Sequence, residues 1–137
     1  MTLSELKTAL EEGGYTCVAW SGGELLTSRE RGVKPLLAWI REGQDLRGCA
    51  AADRVVGKAA ALLYAYMGVS ALYAGVASEP AADVLRRFGV DAEIGQVVPC
   101  IRNRAGTGFC PMETAVQGTD DPAVARAVLE EKVFGTE

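Results

Sequence analysis

From Ala59 to Ser78 the chain carries no charged residue. A run of that length must be covered by protein or by lipid, because apolar surface left in water costs roughly 25 cal/mol for each Å². Length alone raises a membrane-spanning helix. Against it, much of the run is Ala and Gly, and Gly68-Val69-Ser70 reads as a break between a helix and a following strand. The run therefore predicts two interior elements. The first is a helix apolar on every side, and the second is a strand from Ala71 to Ala77, too apolar to alternate.

Extended backward, the first element becomes the stretch Arg47 to Met67, read as a central helix over about Ala52 to Met67. Its opening turns carry Asp53, Arg54, Gly57 and Lys58. Backbone N–H groups and the positive dipole end would face outward there, giving a buried helix a polar mouth. Gly57 inside a helix costs roughly 1 kcal/mol against Ala, which predicts close approach by another backbone or a ligand.

The flanking elements follow from local chemistry. Thr2-Leu3-Ser4-Glu5 is a capping box opening a helix with Leu3, Leu6 and Leu10 on one stripe, ended by Gly13-Gly14. Tyr15 to Trp20 and Glu24 to Thr27 flank Ser21-Gly22-Gly23 as a hairpin. Pro35 starts a helix to about Glu42. Ser78-Glu79-Pro80 caps another from Pro80 to Phe88, and Asp91 to Ile94 and Val97 to Arg102 read as two short strands. A helical turn begins at Cys110-Pro111-Met112-Glu113. Asp121-Pro122 opens a last helix to about Val133, with Val124, Val128 and Leu129 on its apolar side. The order predicts one α/β domain over residues 1–137, three-layer α/β/α with a mixed sheet. Ligands of such sheets bind beyond the carboxyl ends of strands, near helix N-termini.

Composition narrows the chemistry. The net charge of −4 argues against nucleic-acid polymers and anionic membranes as partners. The chain has no histidine, which removes the usual proton shuttle and the commonest metal ligand. Its cysteines, at 17, 49, 100 and 110, form no Cys-x-x-Cys pair. The opening segment reads as an acidic helix, so no secretory leader is expected, and the thiols are expected to be reduced in the cytoplasm.

Two resemblances add to this reading. The order hairpin, helix, strand, helix, strand resembles the cytidine-deaminase-like fold. In its zinc enzymes one helix starts with His-Ala-Glu or Cys-Ala-Glu and a later one with Pro-Cys-x-x-Cys. This chain has Ala51-Ala52-Asp53 at the first place and Glu79-Pro80-Ala81-Ala82-Asp83-Val84 at the second. In that frame the ligand positions are Ala51, Ala81 and Val84, so the resemblance implies a scaffold with no zinc and no other cofactor, in which Asp53 stands at the proton-transferring glutamate. More closely, the chain resembles the domain-of-unknown-function family 1893, assigned to the same superfamily. That likeness runs from the hairpin to about Val116. It is carried by Ser28-Arg29-Glu30-Arg31-Gly32-Val33-Lys34-Pro35-Leu36, Asp53-Arg54-Val55-Val56-Gly57-Lys58-Ala59-Ala60-Ala61, Ser78-Glu79-Pro80, and the segment from Asn103-Arg104-Ala105-Gly106-Thr107-Gly108 through Phe109-Cys110-Pro111-Met112-Glu113. The family implies a fold and no activity.

Each candidate site residue has a plain structural reading beside the functional one. Asp53 is either a first-turn carboxylate favoured by the dipole or an acid–base group at a pocket mouth. Lys58 is a surface ion-pair partner or a pocket lysine. Asp53 and Lys58 are five apart, about 140° around a helix, and would not share a face. Arg31, Lys34 and Arg104, with Arg29 and Arg102, are solvated loop charges or the cationic part of an anion site. In that second role they would be joined by Glu79, Asn103 and the Gly106-Thr107-Gly108 backbone. Cys110 is a buried small hydrophobe or a nucleophile, whereas Cys17, Cys49 and Cys100 read as core. Three functions follow. The first is a zinc-independent deaminase-like domain binding a small anionic, nucleotide-like molecule at two helix N-termini. The second is thiol or sulfur-transfer chemistry at Cys110, with Arg104 or Lys58 stabilising the thiolate. The third is a non-enzymatic module that forms a homo-oligomer or docks a partner protein.

Overall fold

The computed structural model describes residues 1–101 and 110–135. In chain order the elements are α1 (Leu3–Gly13), β1 (Cys17–Ser21), β2 (Glu24–Ser28), α2 (Lys34–Arg41), β3 (Ala50–Val56), α3 (Lys58–Tyr66), β4 (Ala71–Ser78), α4 (Glu79–Arg87), β5 (Asp91–Val98), α5 (Pro111–Val116) and α6 (Pro122–Phe134). The strands form one mixed sheet in the order β2-β1-β3-β4-β5. β1 runs antiparallel to both neighbours, and β3, β4 and β5 are parallel.

Alternation along the inner strands divides the core in two. Val18, Ala52 and Tyr73 point to one face and meet Leu6 and Leu10 of α1. Their neighbours Cys17, Ala19, Ala51, Leu72 and Ala74 point to the other face, where α2, α3, α4 and α6 contribute Leu37, Leu62, Leu63, Leu85 and Leu129. That is the period-two signature of a sheet covered on both faces. It gives the three-layer α/β/α arrangement.

The local signals at the helix starts hold. Thr2 Oγ1 accepts from the Glu5 amide at 3.1 Å while Glu5 returns to the Thr2 amide at 2.9 Å. Asp121 caps α6 by accepting from the Ala123 amide at 2.9 Å. Ser78 Oγ, itself buried, accepts from the Ala81 amide at 3.1 Å and starts α4 ahead of Glu79-Pro80. Ser78→Ala is expected to lower stability by about 1 kcal/mol, the usual cost of losing such a cap, measurable as a shifted urea midpoint with unchanged slope.

Three expectations are corrected. The central helix does not begin at Ala52: Ala50–Val56 is β3, and only Lys58–Tyr66 is helical. Alanine favours helix in isolation, but here Ala50, Ala51 and Ala52 are each paired on both sides, with β1 and with β4. The uncharged run thus divides into α3, a turn at Gly68 with φ of +76°, and β4. Among the described residues no helix is long and apolar enough to cross a membrane. The two short strands expected from Asp91 are one continuous strand through Val98. Gly95 belongs inside it, because a Cβ there would meet the Gly75 carbonyl oxygen of β4 at 2.7 Å. On α6 the buried residues are Ala125 and Leu129, whereas Val124 and Val128 are exposed.

Candidate functional site

The sheet reverses direction between β1 and β3, so the start of β1 lies beside the carboxyl half of β3. Cys17 pairs with Asp53 across that boundary, and the Arg54 amide donates to the Thr16 carbonyl at 3.1 Å. Beyond this point β3 and the following turn outrun β1. A cavity of about 780 Å³ opens there. Its apolar wall includes Val33, Val55, Ala60, Ile101, Pro111 and Met112, and its polar groups include Thr16, Arg31, Asp53 and Glu113, with the thiols Cys17 and Cys110. It lies outside the carboxyl end of a parallel strand, the end at which open α/β sheets bind ligands. The size falls within the range of small-molecule sites.

Asp53 is the inner polar group. It is 7% exposed and faces the α3 side of the sheet. The chain reverses through Gly57 alone, so α3 runs back over β3. Four strand residues back from Gly57 span about 13 Å, and seven helical residues forward span about 10 Å, which brings Asp53 and Tyr64 level. The fully buried Tyr64 hydroxyl donates to Asp53 Oδ2 at 2.8 Å, and the Val55 amide donates to Oδ1 at 3.2 Å. Burial raises the carboxyl from its ordinary 3.8 to about 7, with the bonds from Tyr64 and the Val55 and Arg54 amides acting in the opposite sense. Burial, and then the Asp53 charge, push the Tyr64 phenol well above its usual range. The same two causes raise the Cys17 thiol. Near neutral pH the cavity therefore holds a carboxyl group able to exchange a proton, beside a thiol that stays protonated.

The mouth of α3 is organised by a residue distant in sequence. Glu113 of α5 places both carboxylate oxygens on the first amides of α3, Oε1 on Lys58 at 2.6 Å and Oε2 on Ala59 at 2.9 Å. Gly57, the N-cap, has an ordinary extended backbone with φ of −91°, so its lack of a side chain has a steric reason. A Cβ there would collide with the Glu113 carboxylate. The close approach expected at Gly57 from a backbone or a ligand comes instead from this side chain, and Gly57 stands before the helix, not inside it.

The remaining sequence candidates are scattered around this centre. Arg31 is exposed and lines the cavity. Lys34 pairs with Glu30 at 3.5 Å on the surface. The Lys58 ammonium is bound by Asp120 at 3.1 Å, and Asp120 also holds Arg87 at 3.2 Å. Glu79 is exposed at the start of α4 and does not line the cavity. Cys110 is half-buried, caps α5 and does line it. Cys17 is buried as expected, whereas Cys49 and Cys100 are half-buried. Arg102, Asn103, Arg104, Gly106, Thr107 and Gly108 lie outside the described residues. Tyr64, Cys17 and Glu113 were not anticipated as site residues. A tyrosine hydroxyl in an otherwise apolar run was the available sign for Tyr64, one that Tyr66 shares, since buried hydroxyls find partners.

Zinc does not fit the two helix starts. The residues there are Gly57-Lys58-Ala59 and Glu79-Pro80-Ala81, the α3 amides are taken by Glu113, and no described group of three or more acidic or thiol side chains can hold a metal ion. Ala51-Ala52-Asp53, matched above to the first zinc motif, lies within β3 instead of at a helix start.

Comparison with known proteins agrees with the architecture. A family model described as "Domain of unknown function (DUF1893)" matches residues 5–133. A crystal structure of a DUF1893 family protein from Thermotoga maritima is similar to this chain at 27% identity, with a TM-score of 0.87 over 95% of this chain and 88% of that one. No curated protein matches.

Proposed function

Because the chain belongs to the DUF1893 family, which supplies a fold and no activity, we propose a function from the site itself. The domain binds a small, nucleotide-like molecule in the cavity beyond β3, with Asp53 as the proton-exchanging group. The observation that carries this is a carboxyl titrating at about 7, held by Tyr64, on the wall of a largely apolar cavity. Three of its carboxylate lone-pair positions are engaged, by the phenol and the Val55 and Arg54 amides. The remaining position suits an N–H donor of a nitrogen-rich ring. Arg31 at the rim suits an anionic group at the solvent end of the same molecule.

This reading moves the anion away from the helix N-termini. The α3 amides already hold Glu113, and Glu79 puts a carboxylate at the head of α4. A deaminase-like ancestry is supported by the order of elements and by Glu79-Pro80 at the α4 start, and the lack of a described group of three or more acidic or thiol side chains able to hold a metal directs the search to zinc-independent chemistry. A thiol reaction at Cys110 has one observation in its favour, its place on the cavity wall. Lys58, a suggested stabiliser of its thiolate, is engaged by Asp120.

A thermal-shift screen of nucleobases, nucleosides and nucleotides tests the reading. A true ligand at a hundredfold excess over its Kd should stabilise the fold by about 2.7 kcal/mol, a rise of several degrees in Tm. Arg31→Gln, on an exposed loop, should weaken a nucleotide about tenfold while leaving the unliganded Tm in place. No shift across the panel, or a nucleotide affinity indifferent to Arg31, would reject it.

A further inference from the structure

We propose that Glu113 is a latch that holds α5 as a closing wall of the cavity, with Gly57 as its receiving notch. The inference rests on the cavity being the ligand site, yet its test needs no ligand. α5 has only six residues, too short to be stable by itself, and its N-cap Cys110 makes no side-chain cap bond. Its two ends are held differently. At the carboxyl end Val116 is fully buried, whereas at the amino end Pro111 is exposed and Met112 and Glu113 are half-buried. What fixes the amino end, besides the packing of Met112 against the core, is the pair of bonds that the Lys58 and Ala59 amides donate to Glu113, together with the bond from the Cys110 amide to the Ile101 carbonyl at 3.2 Å.

Pro111, Met112 and Glu113 are the α5 residues that line the cavity. Release of Glu113 therefore lets the amino end of α5 swing about Val116 and uncovers the inner wall, where Cys17 is 2% exposed. Gly57 is specific to this contact. Its backbone accepts any residue, and the Glu113 carboxylate is what a Cβ there would strike. Gly57→Ala should therefore expel the carboxylate and act as Glu113→Ala does.

Alkylation by iodoacetamide, resolved by residue, reads the motion directly. Cys17 should react at least tenfold faster in Glu113→Ala and in Gly57→Ala than in the unaltered chain. The double variant should be no faster than the faster single one, because both open the same contact. Cys49, half-buried at the opposite end of β3, should react at an unchanged rate. Cys17 rates within twofold of the unaltered chain, parallel acceleration of Cys17 and Cys49, or multiplying effects in the double variant would each overturn the latch. Hydrogen exchange of the unaltered chain gives a second reading free of folding defects. The Lys58 and Ala59 amides should exchange at least a hundredfold faster than that of Leu62 in the same helix, and equal protection would overturn the proposal.

Discussion

Asp53→Asn is expected to abolish most of the pH dependence of stability between pH 4 and pH 7. In the native chain the carboxyl titrates near 7 when folded and near 3.8 when unfolded. Across that window the unfolded state has released its proton and the folded state still holds one, so stability falls as pH rises. At about 1.4 kcal/mol for each pH unit, the loss approaches about 4 kcal/mol and levels off above pH 7, where both states are ionised. Asparagine keeps an acceptor oxygen for Tyr64 or the Val55 amide and has no proton to release. Its curve should be flat through the window. At pH 8 it should lie above the native curve by up to about 4 kcal/mol, less about 1 to 3 kcal/mol for an amide whose N–H groups lack partners. Glu5, Asp45 and Asp120, held below the ordinary range mainly by hydrogen bonds from Thr2, Arg47 and Lys58, act in the opposite sense below about pH 5 and equally in both proteins. Guanidinium unfolding of the two proteins from pH 4.5 to 8.5 decides the matter. Parallel curves would show that Asp53 is not a raised acid.

The same residue shows what the sequence could and could not reveal. Asp53 was singled out as an acid–base candidate, but for a helix N-terminus. It lies instead in a strand, and the property that distinguishes it is burial with a raised pKa, not a dipole. Elements with local punctuation were legible: the capping box at Thr2, the Ser21-Gly22-Gly23 turn, and Asp121-Pro122. Ala50-Ala51-Ala52 carries no period of its own, and only pairing with β1 and β4 makes it a strand. Gly95 looked like a break because the Gly75 carbonyl that requires it is twenty residues away in sequence. Glu113 had no local signal at all, since the amides it binds are 54 and 55 residues distant. Gly57 was the trace of that contact visible in sequence, and it revealed a close approach without its author.

Tyr64→Phe should cost about 2 kcal/mol at pH 8 and about 1 kcal/mol at pH 5, a difference that separates anchoring from packing. The phenol is fully buried and its ring remains in phenylalanine, so the apolar contacts of α3 with the sheet are retained. What is lost is the 2.8 Å bond to Asp53 Oδ2. Above pH 7 that bond joins a hydroxyl to a buried carboxylate, the stronger, charge-assisted kind. Near pH 5 the folded chain holds Asp53 protonated, and the contact is between neutral groups. Because the bond favours the ionised form, its removal should drive the Asp53 midpoint above 7, extending to higher pH the fall in stability that Asp53→Asn removes. In the Asp53→Asn background the cost of Tyr64→Phe should shrink to that of a neutral bond, about 1 kcal/mol at either pH. A cost equal at both pH values and in both backgrounds would reduce Tyr64 to a packing residue. The carboxyl would then owe its midpoint to burial alone, and α3 would have no part in setting the acid–base group that faces the cavity.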